Sequence, residues 1–490
     1  MRLNDRLESG GSLAGARVTV MGLGLHGGGV AATRYLAQEG AEVTVTDLRS
    51  REQLSSSLQA IADLPVRLVM GRHEERDFTD ADFVVKNPAV PRHSAFLKKA
   101  RRVETDMSLF LREFSGPLLA VTGTKGKSTT SGALHYGLTK AGLPGRLGGN
   151  ITISPLTFLR DLEREETVVL ELSSFQLGDL SLVEGGLELL SPRIAVVTSF
   201  FRDHQDYYGS MESYFADKAL LVAAVPEDGA VVLGVQGEYA KRFAEAARGP
   251  VFWAQADGGG AGVRLTKDGV RIEAERPIEL SLPASTPESP SLRLNYAMTL
   301  LALSLFGVEA SRLEGCLEGF PGVEHRLEYC GEIEGRRIYN DSAATVPEAT
   351  LQAVRAFRSP VRLIAGGTDK KLDYRAISAA VAEAAGTYFL AGSGTVMMLR
   401  ALGGDAADGG AGGGPGRPKG LGNSGRRAGA PITRGPFETL EDCLEAALAD
   451  ARPGEVVVFS PGCASFEKFD NEFHRGRVFK SLVDAKRRDL

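Results

Sequence analysis

Cysteine is scarce in this sequence, and the few present form no pattern. Cys316, Cys330, Cys443 and Cys463, in a chain of 490 residues, make no C-x-x-C pair and no disulfide framework, which points to reduced thiols in a reducing compartment. An excess of one charge is also missing. Lys and Arg number 57 against 62 Asp and Glu, a formal net charge of −5, so no general basic field exists to hold nucleic acid or an anionic membrane. Long apolar runs are absent too. The longest, around Leu300 to Val308, falls well short of the roughly 20 residues that cross a bilayer. The opening stretch MRLNDRLESGGSLAGARVTV has no apolar segment of the signal-peptide kind. A soluble cytoplasmic protein is expected, with neither nucleic acid nor membrane as a partner.

What remains is an ordinary globular composition, 43% hydrophobic and 24% charged. It is spread over more residues than one compact core holds, so two to four domains are expected. Short β-branched runs alternate with helical stretches, the mark of α/β architecture with parallel sheets. The first unit reads as strand Arg17–Met21, a glycine turn, a helix to about Glu39 closed by Gly40, then strand Glu42–Thr46. A second start is strand Pro117–Val121, followed by a glycine turn, a helix ending near Gly142, and strands Thr167–Leu172 and Ile194–Thr198. A third series holds Arg337–Tyr339, Val361–Ala365, Thr387–Ala391 and Glu455–Phe459. Three restarts give three domains, 1–115, 116–321 and 322–490. Within the third, residues 403–430 are glycine-rich and nearly free of large apolar side chains, and read as a flexible surface insertion. A monomer is expected.

Two glycine loops carry chemistry. Gly22-x-Gly24-x-x-Gly27 follows a strand and opens a helix, and Asp47 lies at the end of the next strand. Glycines in this setting let the backbone approach a pyrophosphate at a helix N-terminus, and the acid reaches a ribose. Alone, this loop would suggest an NAD-dependent dehydrogenase. The second loop, Thr122-Gly-Thr-Lys-Gly-Lys-Ser-Thr129, is the stronger signal. Its Gly126-Lys127-Ser128 supplies backbone N–H groups, a cation for the β- and γ-phosphates and a hydroxyl for Mg2+. It departs from the general phosphate-loop spacing, which would put glycine where Val121 stands. ATP binding follows, and a dehydrogenase leaves this loop unexplained. Downstream, Glu171 ends the run Val168–Glu171, Asp203-His204 and Asp206 follow a strand, and Lys218 sits on a helix over Met211–Val225. Singly, each is an ordinary capping or solvated group. In this order after a phosphate loop, they suggest an Mg2+ site of hard oxygen donors and one imidazole.

Taken with Gly149-Asn150, Glu171-Leu-Ser-Ser-Phe-Gln-Leu177, His325-Arg326, Asn340-Asp341-Ser342 and Ser460-Pro-Gly-Cys-Ala-Ser465, these motifs give the chain a resemblance to the Mur ligases of peptidoglycan synthesis over nearly its whole length. Folylpolyglutamate synthase shares the TGTxGKS core but not this whole set. The resemblance implies a Rossmann-like N-terminal domain, a central P-loop ATPase-type α/β domain and a Rossmann-like C-terminal domain. The turn Gly22-Leu-Gly24-Leu25 with ELSSFQL and SPGCASFEKF looks like the branch that joins D-glutamate to UDP-N-acetylmuramoyl-L-alanine. Those small molecules are the implied partners, with ATP and Mg2+ as cofactors. The implied reaction is ATP-dependent amide formation through an acyl phosphate.

By the same resemblance, Gly123, Thr124, Lys125, Gly126, Lys127, Ser128 and Thr129 form the ATP loop. Asn295, Arg326 and Asp341 hold the adenine, phosphate and ribose ends of ATP. Ser128, Glu171, His204 and Lys218 make up the metal set, and Lys218 matches a lysine that is carbamylated in this family. Lys127, His204, Lys218 and Arg326 are the implied catalytic residues. Leu25, Asp47 and Arg49 hold the UDP end beside a loop at Asn87–Val90, and Asn150 contacts the nucleotide-sugar. Thr345, Lys370 and Ser465 cradle glutamate. Three positions depart from the family pattern. Ala343 stands where lysine is usual, Ser291-Leu292 where a His-Asn pair is usual, and Asn471-Glu472-Phe473 exchanges acid and aromatic. A non-catalytic nucleotide binder would explain these departures but not the intact Lys127, Glu171, His204 and Lys218 set. A ligase for L-glutamate or another amino acid stays open.

Overall fold

The computed structural model describes residues 13–151, 153–255, 261–274, 276–403 and 432–488; the glycine-rich stretch expected as an insertion lies, apart from Gly403, outside them. Two compact units divide the chain. One holds the residues to Leu282 together with Leu294–Glu318, and the other holds Pro283–Arg293 and the chain from Gly319.

The first unit contains two sheets. In the first, β1 (Arg17–Met21), β2 (Glu42–Asp47), β3 (Arg67–Met70), β4 (Phe83–Lys86) and β5 (Val103–Glu104) lie in the order β3-β2-β1-β4-β5, all parallel. The second is nine-stranded, with β6 (Leu118–Thr122), β7 (Gly145–Gly149), β8 (Thr167–Glu171), β9 (Ile194–Val197), β10 (Ala230–Leu233), β11 (Val251–Gln255), β12 (Gly262–Leu265), β13 (Gly269–Glu273) and β14 (Ile278–Ser281). Their order is β14-β13-β12-β11-β10-β9-β6-β8-β7. Strands β7 to β12 pair in parallel, whereas β12-β13-β14 is antiparallel. The second unit carries a six-stranded sheet of β15 (Glu328–Ile333), β16 (Arg336–Asn340), β17 (Val361–Ala365), β18 (Gly386–Leu390), β19 (Ile432–Phe437) and β20 (Val456–Phe459), in the order β15-β16-β20-β17-β18-β19. Only β15 is antiparallel to its neighbour.

Buried parallel strands read as continuous apolar runs because helices cover both faces. In β20, Val456 and Val458 pack into one apolar cluster with Leu363 and Phe389, while Val457 and Phe459 pack into another with Ile364 and Tyr388. β6 behaves likewise, with every residue from Leu118 to Thr122 buried. The expectation of parallel sheets is corrected at two edges, β13-β14 and β15. These strands are partly exposed, so their sequences alternate or scatter and lack the buried signature.

Seven helices matter for the site: α1 (Gly28–Gln38), α2 (Lys127–Lys140), α3 (Ser174–Leu180), α4 (Gln205–Tyr208), α5 (Met211–Ala223), α6 (Pro290–Phe306) and α7 (Glu472–Arg488). Both α1 and α2 start directly after a glycine in the left-handed region, Gly27 at φ 85° and Gly126 at φ 88°. A side chain there would be strained, so glycine makes the sharp strand-to-helix turn possible. Among the described residues no helix is long and apolar enough to cross a membrane.

Candidate active site

In the second sheet, β6 delivers the chain to the phosphate loop and α2 takes it away. Gly123 stands at φ 141°, and a Cβ there would lie 2.1 Å from the Thr198 hydroxyl. A Cβ on Gly126 would lie 2.5 Å from Asn295 Oδ1. Glycine is therefore required at both positions, where the loop backbone packs directly on Thr198 and Asn295, and the first-turn N–H groups of α2 face the loop without intrahelical acceptors. Lys127 Nζ donates to the carbonyls of Gly123 (3.0 Å) and Thr124 (3.1 Å). Lys218, on α5, reaches the same Gly123 carbonyl at 2.8 Å and the Thr122 hydroxyl at 3.3 Å. It is 1% exposed. Burial, helped by the Lys127 charge, pushes its amine down to about 7. Tyr214, one turn earlier on α5, meets the Thr124 hydroxyl at 3.1 Å.

Glu171, at the carboxyl end of β8, is buried beside the loop. Its Oε1 accepts from Asn150 Nδ2 (2.8 Å) and its Oε2 from the Ser131 hydroxyl (3.3 Å). The Asn150 N–H also donates to the Glu171 carbonyl, so side chain and backbone together lock β7's end to β8's. His204 sits at the N-cap of α4 in the left-handed region, φ 49°, about half exposed, with its ring against Phe175 and Tyr214. Asp203 Oδ1 accepts from the His204 N–H, and Asp203 Oδ2 stands 3.8 Å from Lys125 Nζ. Asn295, on α6, is buried under Gly126.

At the first sheet, the Gly22–Gly27 turn is braced from below. Asp47 Oδ2 accepts from the Gly24 N–H (3.1 Å) and Oδ1 from the Arg49 N–H (2.9 Å), while Arg49 Nη1 lies 3.8 Å from Asp47 Oδ2. The buried Asp47 thus holds the turn and Arg49 together. Leu25 is exposed at the tip. Asn87, after β4, underlies the turn, with its side-chain atoms 3.0 Å from a Cβ on Gly22 and 3.2 Å from one on Gly24.

In the second unit, the loops after β16, β20 and β17 meet, as these three strands are neighbours. The Gly462 N–H donates to the Ala344 carbonyl, and Thr368 exchanges two backbone bonds with Ala464. Thr345 and Ser465 therefore sit on adjoining loops, with Lys370 beyond Thr368. Among the described residues, the buried Ser465 hydroxyl has no hydrogen-bond partner. Lys370 is exposed, its Nζ 5.9 Å from the centre of the Phe466 ring. Asp341 is buried, accepting from the Ser460 hydroxyl (2.7 Å) and the Leu327 N–H (3.1 Å), and burial pushes its carboxyl up to about 7. Arg326 is exposed between His325 (φ 64°) and Leu327 (φ 45°), two non-glycine residues in the left-handed region.

The family comparisons agree with this layout. The Mur ligase middle-domain model matches residues 121–270, and the Mur ligase MurD-like N-terminal-domain model matches residues 16–107. The UDP-N-acetylmuramoylalanine–D-glutamate ligase of Treponema pallidum (strain Nichols) is 38% identical, over 96% of this chain and 98% of the relative. The protein of the same name from Roseiflexus sp. (strain RS-1) is 37% identical, over 96% and 99%.

The chain belongs to the Mur ligase family.

Solved structures show the same fold. The UDP-N-acetylmuramate–alanine ligase MurC of Thermotoga maritima has a TM-score of 0.54 at 17% identity, covering 96% of this chain and 99% of its own. MurF of Acinetobacter baumannii has a TM-score of 0.53 at 14% identity, covering 96% and 91%. Within this Mur ligase, the structure gathers Lys127, Lys218, Glu171, Asn150 and Asn295 around one loop and leaves His204 at its edge against the Tyr214 ring. Sequence reasoning overlooked Ser131 and Tyr214. Each lies one turn along a helix from a singled-out residue, Ser131 from Lys127 and Tyr214 from Lys218, and the i, i+4 spacing could have found them. It also overlooked Arg475 on α7, which is 0% exposed. That guanidinium donates to the Ser342 hydroxyl (3.0 Å) and to the carbonyls of Ser342 (2.8 Å), Cys463 (3.1 Å) and Ala464 (2.9 Å). It pins the loops after β16 and β20 together, and burial pushes it down to about 10.

Proposed function

We propose that this Mur ligase joins D-glutamate to UDP-N-acetylmuramoyl-L-alanine at the expense of ATP, in the cytoplasm and as a monomer. The observation that carries the reading is the phosphate loop with Lys127 and Lys218 on the Gly123 carbonyl and the Glu171 carboxylate beside it; the names of the relatives supply the two substrates. The alanyl carboxylate attacks the γ-phosphate in line, giving an acyl phosphate and ADP. Phosphorylation is needed because a carboxylate is a poor electrophile and its oxygen a poor leaving group. The D-glutamate amine then adds to the acyl carbon, the tetrahedral intermediate expels inorganic phosphate, and the amine gives up its proton.

Catalysis is mainly positioning and charge neutralisation. Lys127 exchanges the loop carbonyls for phosphate oxygens, and Gly123 to Thr129 cradle them. Asn295, Arg326 and Asp341 are assigned to the adenine, phosphate and ribose of ATP. Ser128, Glu171 and His204 would hold Mg2+, which supplies charge neutralisation at the phosphates. Among the described residues no three His, Cys, Asp or Glu side chains gather into a metal cage. That suits Mg2+, which is commonly held by one or two carboxylates plus substrate phosphates. Lys218 is assigned as a carbamate. A buried amine kept near 7 has a neutral fraction that can add CO2, and the resulting anion removes a cation that would repel Mg2+. Leu25, Asp47, Arg49 and Asn150 are assigned to the nucleotide-sugar, and Thr345, Lys370 and the unpartnered Ser465 hydroxyl to glutamate. The corresponding domains span 1–115, 116–321 and 322–490.

The test is phosphate release from ATP with UDP-N-acetylmuramoyl-L-alanine and a panel of amino acids. Release that requires D-glutamate is expected. An equal or better rate with L-glutamate would reassign the substrate, and release independent of any amino acid would refute the ligase reading.

A further inference from the structure

Next to the proposed metal set lies a chain of buried and partly buried charges that the reaction above does not use. Lys86, the last residue of β4, and Asp179, on α3, are almost fully buried and form an ion pair. Arg92, from the loop after β4, places Nε 3.6 Å from Asp179 Oδ1. Its Nη1 donates to Asp217 Oδ1 at 3.2 Å, and its Nη2 donates to Asp217 Oδ2. The same Nε donates to the Tyr207 hydroxyl at 3.2 Å. Asp217 also accepts from the Tyr208 hydroxyl at 2.8 Å. The packing is tight. A Cβ on Gly178, inside α3, would lie 2.3 Å from Asp217 Oδ2 and 2.5 Å from both terminal nitrogens of Arg92. Glycine within a helix is normally unfavourable; here any larger residue would push the Arg92 fork off Asp217.

Arg92 thus grips two stretches of chain at once. Asp217 is the neighbour of Lys218 on α5, and Tyr207 belongs to α4, whose N-cap is His204. We propose that Arg92 is a positioning residue. Its fork onto Asp217 and Tyr207 sets the spacing of His204 and Lys218, and ties that spacing to the loop that follows β4. A guanidinium suits the task, because its planar array of donors serves several acceptors in fixed directions, which an ammonium does not. The inference rests on the assignment of His204 and Lys218 to Mg2+.

The test compares Arg92→Met and Arg92→Lys with the unaltered enzyme. It reads kcat, the Mg2+ concentration for half-maximal phosphate release, the KM for ATP and the melting temperature. In Arg92→Met, kcat should fall about ten- to a hundredfold and the Mg2+ requirement should rise about tenfold, with the KM for ATP within about threefold. Arg92→Lys should recover part of kcat, and adding Asp217→Asn to Arg92→Met should cost no further activity, since the pair acts as a unit. If Arg92→Met does not fold, Gly178→Ala, which only pushes the fork off Asp217, is read in its place with the same shifts expected. A folded variant with kcat and Mg2+ dependence within about twofold of the unaltered enzyme overturns the proposal, and a lowered melting temperature with those kinetics assigns the network to stability alone. Lys218→Ala and His204→Ala are measured alongside. If both keep the original Mg2+ dependence, the metal assignment itself fails; if both lose activity while the Arg92 variants do not, only the role of Arg92 falls.

Discussion

Replacing Lys218 by methionine should separate stability from activity. The amine, 1% exposed, is shifted from 10.5 to about 7 by burial and by the Lys127 charge. At about 1.4 kcal/mol per unit, a protonated Lys218 at pH 6 costs the fold on the order of 4–5 kcal/mol relative to an unperturbed lysine. Methionine fills a similar volume without charge. It forfeits the bonds to the Gly123 carbonyl and the Thr122 hydroxyl, about 0.5–1.5 kcal/mol each, while the Thr122 hydroxyl keeps its own 2.8 Å bond to the Leu172 carbonyl. The variant should therefore be more stable by about 1–4 kcal/mol at pH 6 to 7. The sign of the pH dependence follows from the direction of the shift. The folded value lies below the unfolded one, so between about pH 7 and 10.5 the unfolded chain binds more protons and the unaltered protein gains stability as pH rises. Methionine does not titrate, so its advantage should shrink by about 1.4 kcal/mol per pH unit across that window and change sign before about pH 10.5. Unfolding in CO2-depleted buffer can be followed by the fluorescence of Trp253, the single tryptophan, which lies in β11 of the second sheet. Phosphate release on the same samples should be lost. A gap that stays constant from about pH 6 to pH 10 would refute the depressed amine, and wild-type turnover by the methionine variant would refute its role.

Other substitutions probe the same architecture. Lys127→Ala should cut phosphate release by about a hundredfold or more with the melting temperature little changed, because the Gly123 carbonyl keeps its bond from Lys218; near-normal release from a folded variant would remove Lys127 from the ATP site. Lys370→Ala should raise the KM for D-glutamate and lower kcat/KM about ten- to a hundredfold, as loss of a charge-assisted bond of about 1.5–3 kcal/mol requires, with the KM for ATP unchanged; a defect in Lys371→Ala instead would move the role one residue along. Gly126→Ala, at φ 88° and with Asn295 Oδ1 2.5 Å from the new methyl, should cost about 2–4 kcal/mol of stability by left-handed strain and overpacking. Adding Asn295→Ala should restore only the packing share, and full recovery in a denaturation series would show that the backbone carries no strain.

The parts of this molecule that depend on neighbours in sequence were legible before the structure. Strands Arg17–Met21 and Val361–Ala365 stand where the apolar runs put them, and others shift by a residue or so, as with Leu118–Thr122 against the expected Pro117–Val121. The phosphate loop announced itself because strand, glycines and helix start are contiguous. What escaped depends on long-range contact. Arg92 and Asp217 are 125 residues apart, and nothing local in either segment marks a partner. Arg475 likewise looks like any helix arginine until its donors are traced to the loops after β16 and β20. Asp47 shows the opposite limit. Its position fits a ribose-binding acid, yet both carboxylate oxygens already accept backbone N–H bonds, a structural use that the motif alone could not disclose.

Strand β7 gives this enzyme a built-in weak margin. Three of its five residues are glycine, and among the described residues β8 is its only sheet partner. Glycine in a strand contributes little packing and a large entropy of ordering, and an outer strand has one ladder to lose rather than two. Its amide protons should exchange with solvent ahead of those of β6 and β8, which are buried along their whole length. Because Asn150 follows directly on β7 and reaches Glu171 at 2.8 Å, that opening detaches Asn150 from the carboxylate while the rest of the sheet stays intact. Local melting at one edge would therefore release the Glu171 carboxylate from Asn150 before global unfolding begins, and if Asn150 holds the nucleotide-sugar as proposed, that ligand should slow exchange along the strand.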